Sequence, residues 1–465
     1  MQKYNDFDAS VEKAVEEFKK WDKDEKIEVV SHLDADGITA CAILTKALNR
    51  DNRKYDISII KQLTMDEIKE LAERKSRYFI FTDLGSGQIK DMLDNLGDKN
   101  ILVLDHHQIV EGNKDSLIHV NPHMFDIDGS KEIAGSGVVY LFAKKLNEKN
   151  KDLAHLAVIG AIGDVQEDGN FMRMNKEILE DAVEQDKIMI ERGLRLFGRQ
   201  TKPIHKVLEY STDPYIPGVS GSESGAIQFL HQIGIEPKNK SKWKRIVDLT
   251  DEEKKILTTG IIMKRFGEEN PQDVLGNNYV ICSEEKGSPT RDAREFATLL
   301  NACGRMDKAS FGIGTCLGIK EDKRNAMKTL AAYKKEIVGA IKWYNENEDK
   351  LIKKDGFVII NAEDNIPPTI IGTLASIISK GNDLKEGTYV LSLARSDKNM
   401  TKISLRVSGI RENKELDLRD VAKEIVKDIG GEAGGHQFAA GALIETEKEE
   451  EFLKAAEKVL SERKI

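Results

Sequence analysis

Cysteine is scarce in this 465-residue chain: Cys41, Cys282, Cys303 and Cys316 are its four, and no two form a C-x-x-C pair. Nothing therefore suggests zinc or redox chemistry, and the four are expected to be reduced and packed as small apolar side chains. Long hydrophobic runs are also missing, none approaching the roughly 20 apolar residues a membrane span needs. The opening MQKYNDFDASVEKAVEEF lacks the basic-then-apolar layout of a signal peptide. A cytoplasmic protein without a membrane partner is expected. Proline is rare, at 9 residues, beside abundant Lys and Glu, a bias compatible with a heat-adapted source. Positive charge is not in excess. At a formal net charge of −9 the chain does not advertise a nucleic-acid partner, although steering depends on local patches and a carboxylate-built metal site would itself add negative charge.

A chain of 465 residues has room for two or three domains, each with its own core. Its first part alternates short apolar runs with helical patterns, the layout of a parallel sheet with crossover helices. KIEVVSHLD (26–34), YDISIIKQL (55–63), YFIFTDL (78–84), NILVLDHH (100–107) and LIHVNP (117–122) read as strands. SGVVYLFAKKLNEK and DLAHLAVIGAIGD read as two packed helices. From about 174 to 290 the pattern is mainly helical, with basic stretches at 192–206 and 238–245 that fit either a solvated surface or a nucleic-acid groove. A long helical pattern at 326–350 then leads into strands and helices of a second α/β unit, which closes on GGEAGGHQFAAGA (430–442). The expected fold class is α/β: an N-terminal parallel-sheet domain (1–190), a helical middle region and linker (191–325), and a connector helix with a smaller C-terminal α/β domain (326–465).

Polar residues gather where the strands end: Asp34, Asp83, Asp105 and Asn121. In open α/β sheets ligands bind just beyond the carboxyl ends of the strands. Acids stacked at that edge repel one another unless a cation sits among them. SHLDADG (31–37) places His32, Asp34 and Asp36 at alternate positions, which on an extended segment point the same way. The triplet also fits a polar turn with Asp as a helix N-cap. In FTDLGSG (81–87) Asp83 ends the third strand, and in LDHHQ (104–108) Asp105 precedes two adjacent histidines. IGAIGDVQ (159–166) closes an apolar helix on Asp164, a place unfavourable to an anion without a cation nearby. Each signal is modest alone. Jointly, imidazole and carboxylate donors suit Mn2+ or Mg2+ better than a closed structural zinc site. Two such ions, with Asp83 as the best bridging carboxylate, serve phosphoester hydrolysis.

HxDxDG, the strand-end Asp83, Asp105-His106-His107 and Asp164 resemble the four ordered motifs of the DHH phosphoesterase superfamily, and the resemblance covers nearly the whole chain. SHLDADGITA, FTDLGSG, AGSGVVY and RLFGRQTKP look specifically like the archaeal RecJ group of single-strand exonucleases. The resemblance implies two divalent ions, Mn2+ preferred and Mg2+ accepted, with His32 and Asp36 on one and Asp34, His106 and Asp164 on the other. His32 stands where bacterial RecJ commonly has Asp. His107 would face the scissile phosphate as a positioning donor or general acid, with Asp105 beside it as a catalytic residue. GGHQFAAG resembles the substrate motif of the DHH-associated domain, which implies that Gly434, Gly435 and His436 touch phosphate or sugar. REFATLLNACGR (294–305) resembles a RecJ segment that implies phosphate contacts from Asn301 and Arg305, and Arg406 matches a basic residue these domains present from a sheet.

The expected function is a metal-dependent exonuclease that hydrolyses single-stranded DNA or RNA from a free end, in replication or repair. The resemblance also implies a GINS or other replisome partner, because the group is related to a eukaryotic helicase subunit that has lost catalytic residues. A replisome scaffold is thus one alternative, and a phosphodiesterase for short oligonucleotides or cyclic dinucleotides is another. The long, partly basic middle region favours a strand, tracked by Lys and Arg with bases stacked on aromatics.

Overall fold

The computed structural model describes residues 2–463 except 111, 113, 115, 168, 213, 269, 382–383, 397–398 and 410–415, and leaves the side chains of residues 432 and 436 undescribed. The chain divides into two compact units, Met1–Leu330 and Ala331–Ile465.

The first unit opens with a helix, α1 (Gln2–Lys19), that the strand patterns did not anticipate. Its Phe7, Val11, Ala14, Val15 and Phe18 recur at three- and four-residue intervals and are buried. A sheet follows, built from β1 (Lys26–His32), α2 (Ala35–Arg50), β2 (Lys54–Ile60), α3 (Met65–Ala72), β3 (Tyr78–Thr82), α4 (Ile89–Asn95), β4 (Asn100–Leu104) and β5 (Leu117–Val120). All strands are parallel, in the order β2-β1-β3-β4-β5. Phe79 and Phe81 of β3, Ile101 and Val103 of β4 and Val30 of β1 share one apolar cluster with Ile68 of α3 and Met92 of α4. The alternate residues Val29, Ile80 and Leu102 are equally buried on the opposite face. Burial on both faces is why these strands read as unbroken apolar runs. Each strand is shorter than the sequence suggests. Asp83, Asp105 and Asn121 are the first residues past β3, β4 and β5, so the polar groups share the carboxyl edge of the sheet.

Two helices complete the surroundings of that edge: α5 (Gly135–Leu146) and α6 (Ala154–Gly163), both packed on α2. The chain continues through α7 (Arg173–Glu184), β6 (Ile188–Leu194), α8 (Ile204–Glu209), α9 (Glu223–Gln232), the short pair β7 (Lys238–Asn239) and β8 (Lys242–Trp243), α10 (Asp251–Lys264), β9 (Leu275–Ile281), α11 (Ala293–Arg305), α12 (Ala309–Cys316) and α13 (Lys320–Glu346). The middle region is therefore not purely helical, because β6 pairs antiparallel with β9 along seven residues. It carries its own apolar cluster, from Leu194 to Val274, yet belongs to the same compact unit as the parallel sheet.

The second unit comprises β10 (Ile352–Lys354), β11 (Phe357–Asn361), α14 (Pro368–Lys380), β12 (Tyr389–Ser396), β13 (Met400–Val407), α15 (Leu418–Val426), β14 (Glu432–His436), β15 (Ala439–Glu445) and α16 (Glu449–Glu462). Its sheet runs β10-β11-β12-β13-β15-β14, with β11 and β12 its one parallel pair. Val421 and Ile425 of α15 and Phe452 of α16 pack with Leu391, Ile403 and Leu405 of the sheet to form the core.

Candidate metal centre

Asp83 lies at the middle of the carboxyl edge. It adopts a left-handed backbone, φ +58°, which Asp tolerates better than most residues, and its amide donates to Leu104 O at 3.0 Å. The side chain is 2 % exposed. Its two oxygens face different partners: Oδ2 is 3.5 Å from His32 Nδ1, and Oδ1 is 3.3 Å from His106 Nε2. The close approach of α5 requires a glycine, since a Cβ on Gly135 would fall 2.6 Å from Asp83 Oδ1.

His32 is the last residue of β1, and Asp34 caps α2 by accepting from Gly37 N at 3.0 Å. The other Asp34 oxygen lies 3.1 Å from His32 Nδ1. Asp36, one residue into α2, points elsewhere. It accepts from Gly135 N (2.7 Å) and Ser136 N (3.0 Å), supplying the cap that Ala134 cannot give to the start of α5. Its Oδ2 is 3.8 Å from His106 Nε2, as is Asp164 Oδ2. Asp164 is the C-cap of α6. His106 Nδ1 lies 2.6 Å from Gly129 O, an acceptor, so that nitrogen carries a hydrogen and Nε2 is the one aimed at the three acids.

The structure thus gathers His32, Asp34 and Asp83 as one possible ligand group and Asp36, His106 and Asp164 as another. The resemblance implies another partition, His32 with Asp36 and Asp34 with His106 and Asp164, whereas the distances here set Asp34 beside His32 and Asp36 beside His106. The alternation argument fails because β1 stops at His32 and α2 starts at Ala35, so a helical turn swings Asp36 away from Asp34.

Both Asp83 oxygens, His32 Nδ1 and His106 Nε2 are buried without an oriented hydrogen bond. Leaving four such atoms unsatisfied is costly, and a shared focus of carboxylate and imidazole donors fits divalent cations. The ionisation pattern agrees. Burial disfavours an imidazolium at His32 and His106, but the acids around them outweigh it and hold both pKa values well above the usual histidine range. Burial and the adjacent Asp83 push the Asp36 carboxyl well up, against the pull of His106. Protons are standing in for missing positive charge.

Asp105 is fully buried and accepts from Ser86 N (2.9 Å), His106 N (2.8 Å) and His107 Nδ1 (2.8 Å). It orients His107, the most open residue of the group at 38 % side-chain exposure. Sequence reasoning gave no roles to several supports. Gln166 donates to Gly129 O and Asp164 Oδ2, both at 2.8 Å, and Asn175 donates to Gln166 at 2.7 Å. Asn121 donates to Ser86 Oγ (2.8 Å) and His107 O (2.9 Å). Gln166 and Ser86 sit inside the acid motifs and Asn121 at a strand end, and those positions are the signal that could have found their roles.

Among the expected substrate contacts, Asn301 of α11 is placed differently from a free phosphate ligand. Its Oδ1 accepts from Ala35 N at 2.9 Å, and Gly304 abuts Leu33 O so closely that no Cβ fits. This helix braces the loop that carries Asp34 and Asp36. Arg305 is the last, partly exposed residue of α11. Arg406, on β13, donates from Nε to Ser376 Oγ (2.9 Å) and from Nη1 to Leu405 O (2.8 Å) and Ala440 O (3.2 Å). Gly434 is in β14 with open space beside it, and Gly435, at φ +125°, abuts Ala439 O where no Cβ fits. His436 is in the same strand, and its side chain lies outside the described part. These four belong to the second unit.

Residues 26–161 match the DHH family N-terminal domain, 196–276 the DHH-CID domain and 355–462 the DHHA1 domain. An uncharacterized protein of Methanocaldococcus jannaschii is 33% identical over 447 residues, 94% of each chain. The chain belongs to the DHH family. Among solved structures, this DHH protein is similar in fold to RecJ from Thermus thermophilus in complex with Mn2+ (TM-score 0.58, 15% identity, 97% of this chain). It spans about half that protein, 55% of its length. It is also similar to CDC45 from Entamoeba histolytica (TM-score 0.66, 12% identity), covering 97% of this chain and 99% of that one. The fold is RecJ-like. Among the described residues no helix is long and apolar enough to cross a membrane.

Proposed function

We propose that this DHH protein is a divalent-metal-dependent exonuclease that hydrolyses phosphodiester bonds of single-stranded DNA, with RNA as a second substrate class, from a free end during replication or repair. One observation carries the reading: the buried Asp83 turns one unbonded oxygen to His32 and the other to His106, as a carboxylate shared by two ions would. His32, Asp34 and Asp83 would hold one ion, and Asp36, His106 and Asp164, with Asp83 shared, the second. Mn2+ is taken as the preferred ion and Mg2+ as an accepted one, and divalent metal binding is supported by the Thermus RecJ structures, one with each ion. Bound there, the pair would supply an activated water and neutralise charge on the phosphate. His107, oriented through Nδ1 by Asp105, would act toward a phosphate oxygen or the leaving group as a donor or general acid. Arg305, Arg406, Gly434, Gly435 and His436 are the proposed contacts to phosphate and sugar, and Asn301 reaches substrate indirectly, through the loop it braces.

A second reading, a replisome scaffold with a GINS-type partner, is favoured by the CDC45 likeness, which spans 99% of that protein. The full set of acid and histidine donors favours the enzyme. A time course with 5′- and 3′-labelled single strands and a blunt duplex, in Mn2+, tests the choice. Progressive shortening of the single strand alone is expected. Tight strand binding with no product in Mn2+ or Mg2+ would move the assignment to the scaffold.

A further inference from the structure

The loop after α6 contains an outlier that metal ligation does not require. Asp164 caps the helix, Val165 N donates to Ile162 O at 3.1 Å, and Gln166 N donates to Ala161 O at 2.9 Å. This pair of bonds is a Schellman ending, whose left-handed residue is usually glycine. Here it is Val165, at φ +59°. A β-branched residue is strained in that region. The strain persists because the neighbours over-determine the turn: Asp164 faces His106, and Gln166 is buried against Gly129 O and held by Asn175. The side chain gains nothing from the fold, because Val165 is 83% exposed, the most exposed of the large apolar residues described. A glycine would make the same turn without strain.

We infer that Val165 contacts the substrate, packing its aliphatic side chain against the base of the nucleotide whose phosphate lies at the acid–histidine cluster. The inference rests on the exonuclease reading. Val165 is one residue, about 3.8 Å along the backbone, from the Asp164 Cα. Phosphate oxygens would avoid a hydrocarbon there, whereas a base offers an apolar face.

The test compares wild type with Val165→Gly and Val165→Ile. Affinity for a fluorescent single-stranded oligonucleotide is measured by anisotropy in Ca2+, and kcat and KM in Mn2+. Each is repeated on a strand whose terminal unit is abasic. Val165→Gly should bind the intact strand about five-fold more weakly and raise KM, with Mn2+ binding unchanged and Tm equal or higher. Val165→Ile should restore affinity, and the difference should vanish on the abasic strand. Equal affinities of wild type and Val165→Gly, or a loss that persists on the abasic strand, would overturn the inference while leaving the nuclease intact. A wild type that binds Mn2+ but neither binds nor cuts strands would fail at the exonuclease reading itself.

Discussion

The Asp36 carboxylate occupies space that any side chain on Gly160 would need: a Cβ built there falls 2.5 Å from Asp36 Oδ1. The same Cβ would collide with Ser136 Oγ and Thr39 Oγ1, so it has no free direction. The small residues of IGAIG are what let α6 press against α2 at the ligand loop. We expect Gly160→Ala to cost about 1–3 kcal/mol of stability through overpacking. It should also weaken Mn2+ binding at the Asp36–His106–Asp164 group more than at the His32–Asp34 group. Calorimetric Mn2+ titration reads both sites, and unchanged stoichiometry and affinity would show that the approach is not tied to the ligands.

Asp83→Asn keeps the shape but removes the charge shared between His32 and His106. Hydrolysis should fall by at least about 10³-fold. The metal-free variant should stay folded by circular dichroism. Turnover within tenfold of wild type at saturating Mn2+ would exclude a bridging role.

Metal binding and pH are linked through the same groups. The folded-state pKa values of His32, His106 and Asp36 are raised, so above their unfolded values of about 6.5 and 4 the metal-free folded chain binds more protons than the unfolded chain. The histidine contribution is complete below about pH 6.5 and is lost as pH rises through the raised values. Metal-free Tm should therefore fall as pH rises above about 6.5. Asp34 and Asp105 are lowered, against burial, by His32 and His107, and their contribution is lost only on acidification below about pH 4. With saturating Mn2+ the alkaline trend should flatten or invert, since the ligands must shed their protons and affinity grows with pH. Thermal scans from pH 6 to 9 with and without Mn2+ check this. A metal-free Tm that climbs across that range would contradict the assigned protonation.

The strand-end acids were legible because a doubly covered parallel sheet writes its strands as apolar runs, which made Asp83 and Asp105 conspicuous where the runs stop. The grouping of ligands was not legible. It depends on where β1 gives way to α2, and a two-residue shift separates Asp34 from Asp36. The β6–β9 pair was hidden by Glu191, Arg192, Asn277 and Asn278, which interrupt both strands with polar residues. Gln166 could be seen in its motif, but its role depends on Gly129 and Asn175, which only the folded chain brings beside it.

Asn301 and Arg305 share one helix turn of α11 and resemble a single phosphate-binding motif, and Asn301 also bonds the loop that carries Asp34 and Asp36. Asn301 Oδ1 accepts the Ala35 N–H at 2.9 Å, one of the orphan donors at the start of α2. Losing it leaves that donor unpaired and frees the Leu33–Ala35 turn, which Gly304 also braces. Asn301→Ala should cost about 1–2 kcal/mol. Its effect on turnover should follow metal occupancy, so that excess Mn2+ largely rescues kcat. Arg305→Ala should leave Mn2+ binding near wild type, raise KM, and reduce the slope of log affinity against log salt by about 0.7, as loss of one phosphate contact on a single strand does. Measuring Mn2+ affinity, Tm and the salt slope on both variants separates the two roles. If Asn301→Ala changes the salt slope while Mn2+ binding and Tm stay fixed, Asn301 touches phosphate directly and the bracing role assigned to it is wrong.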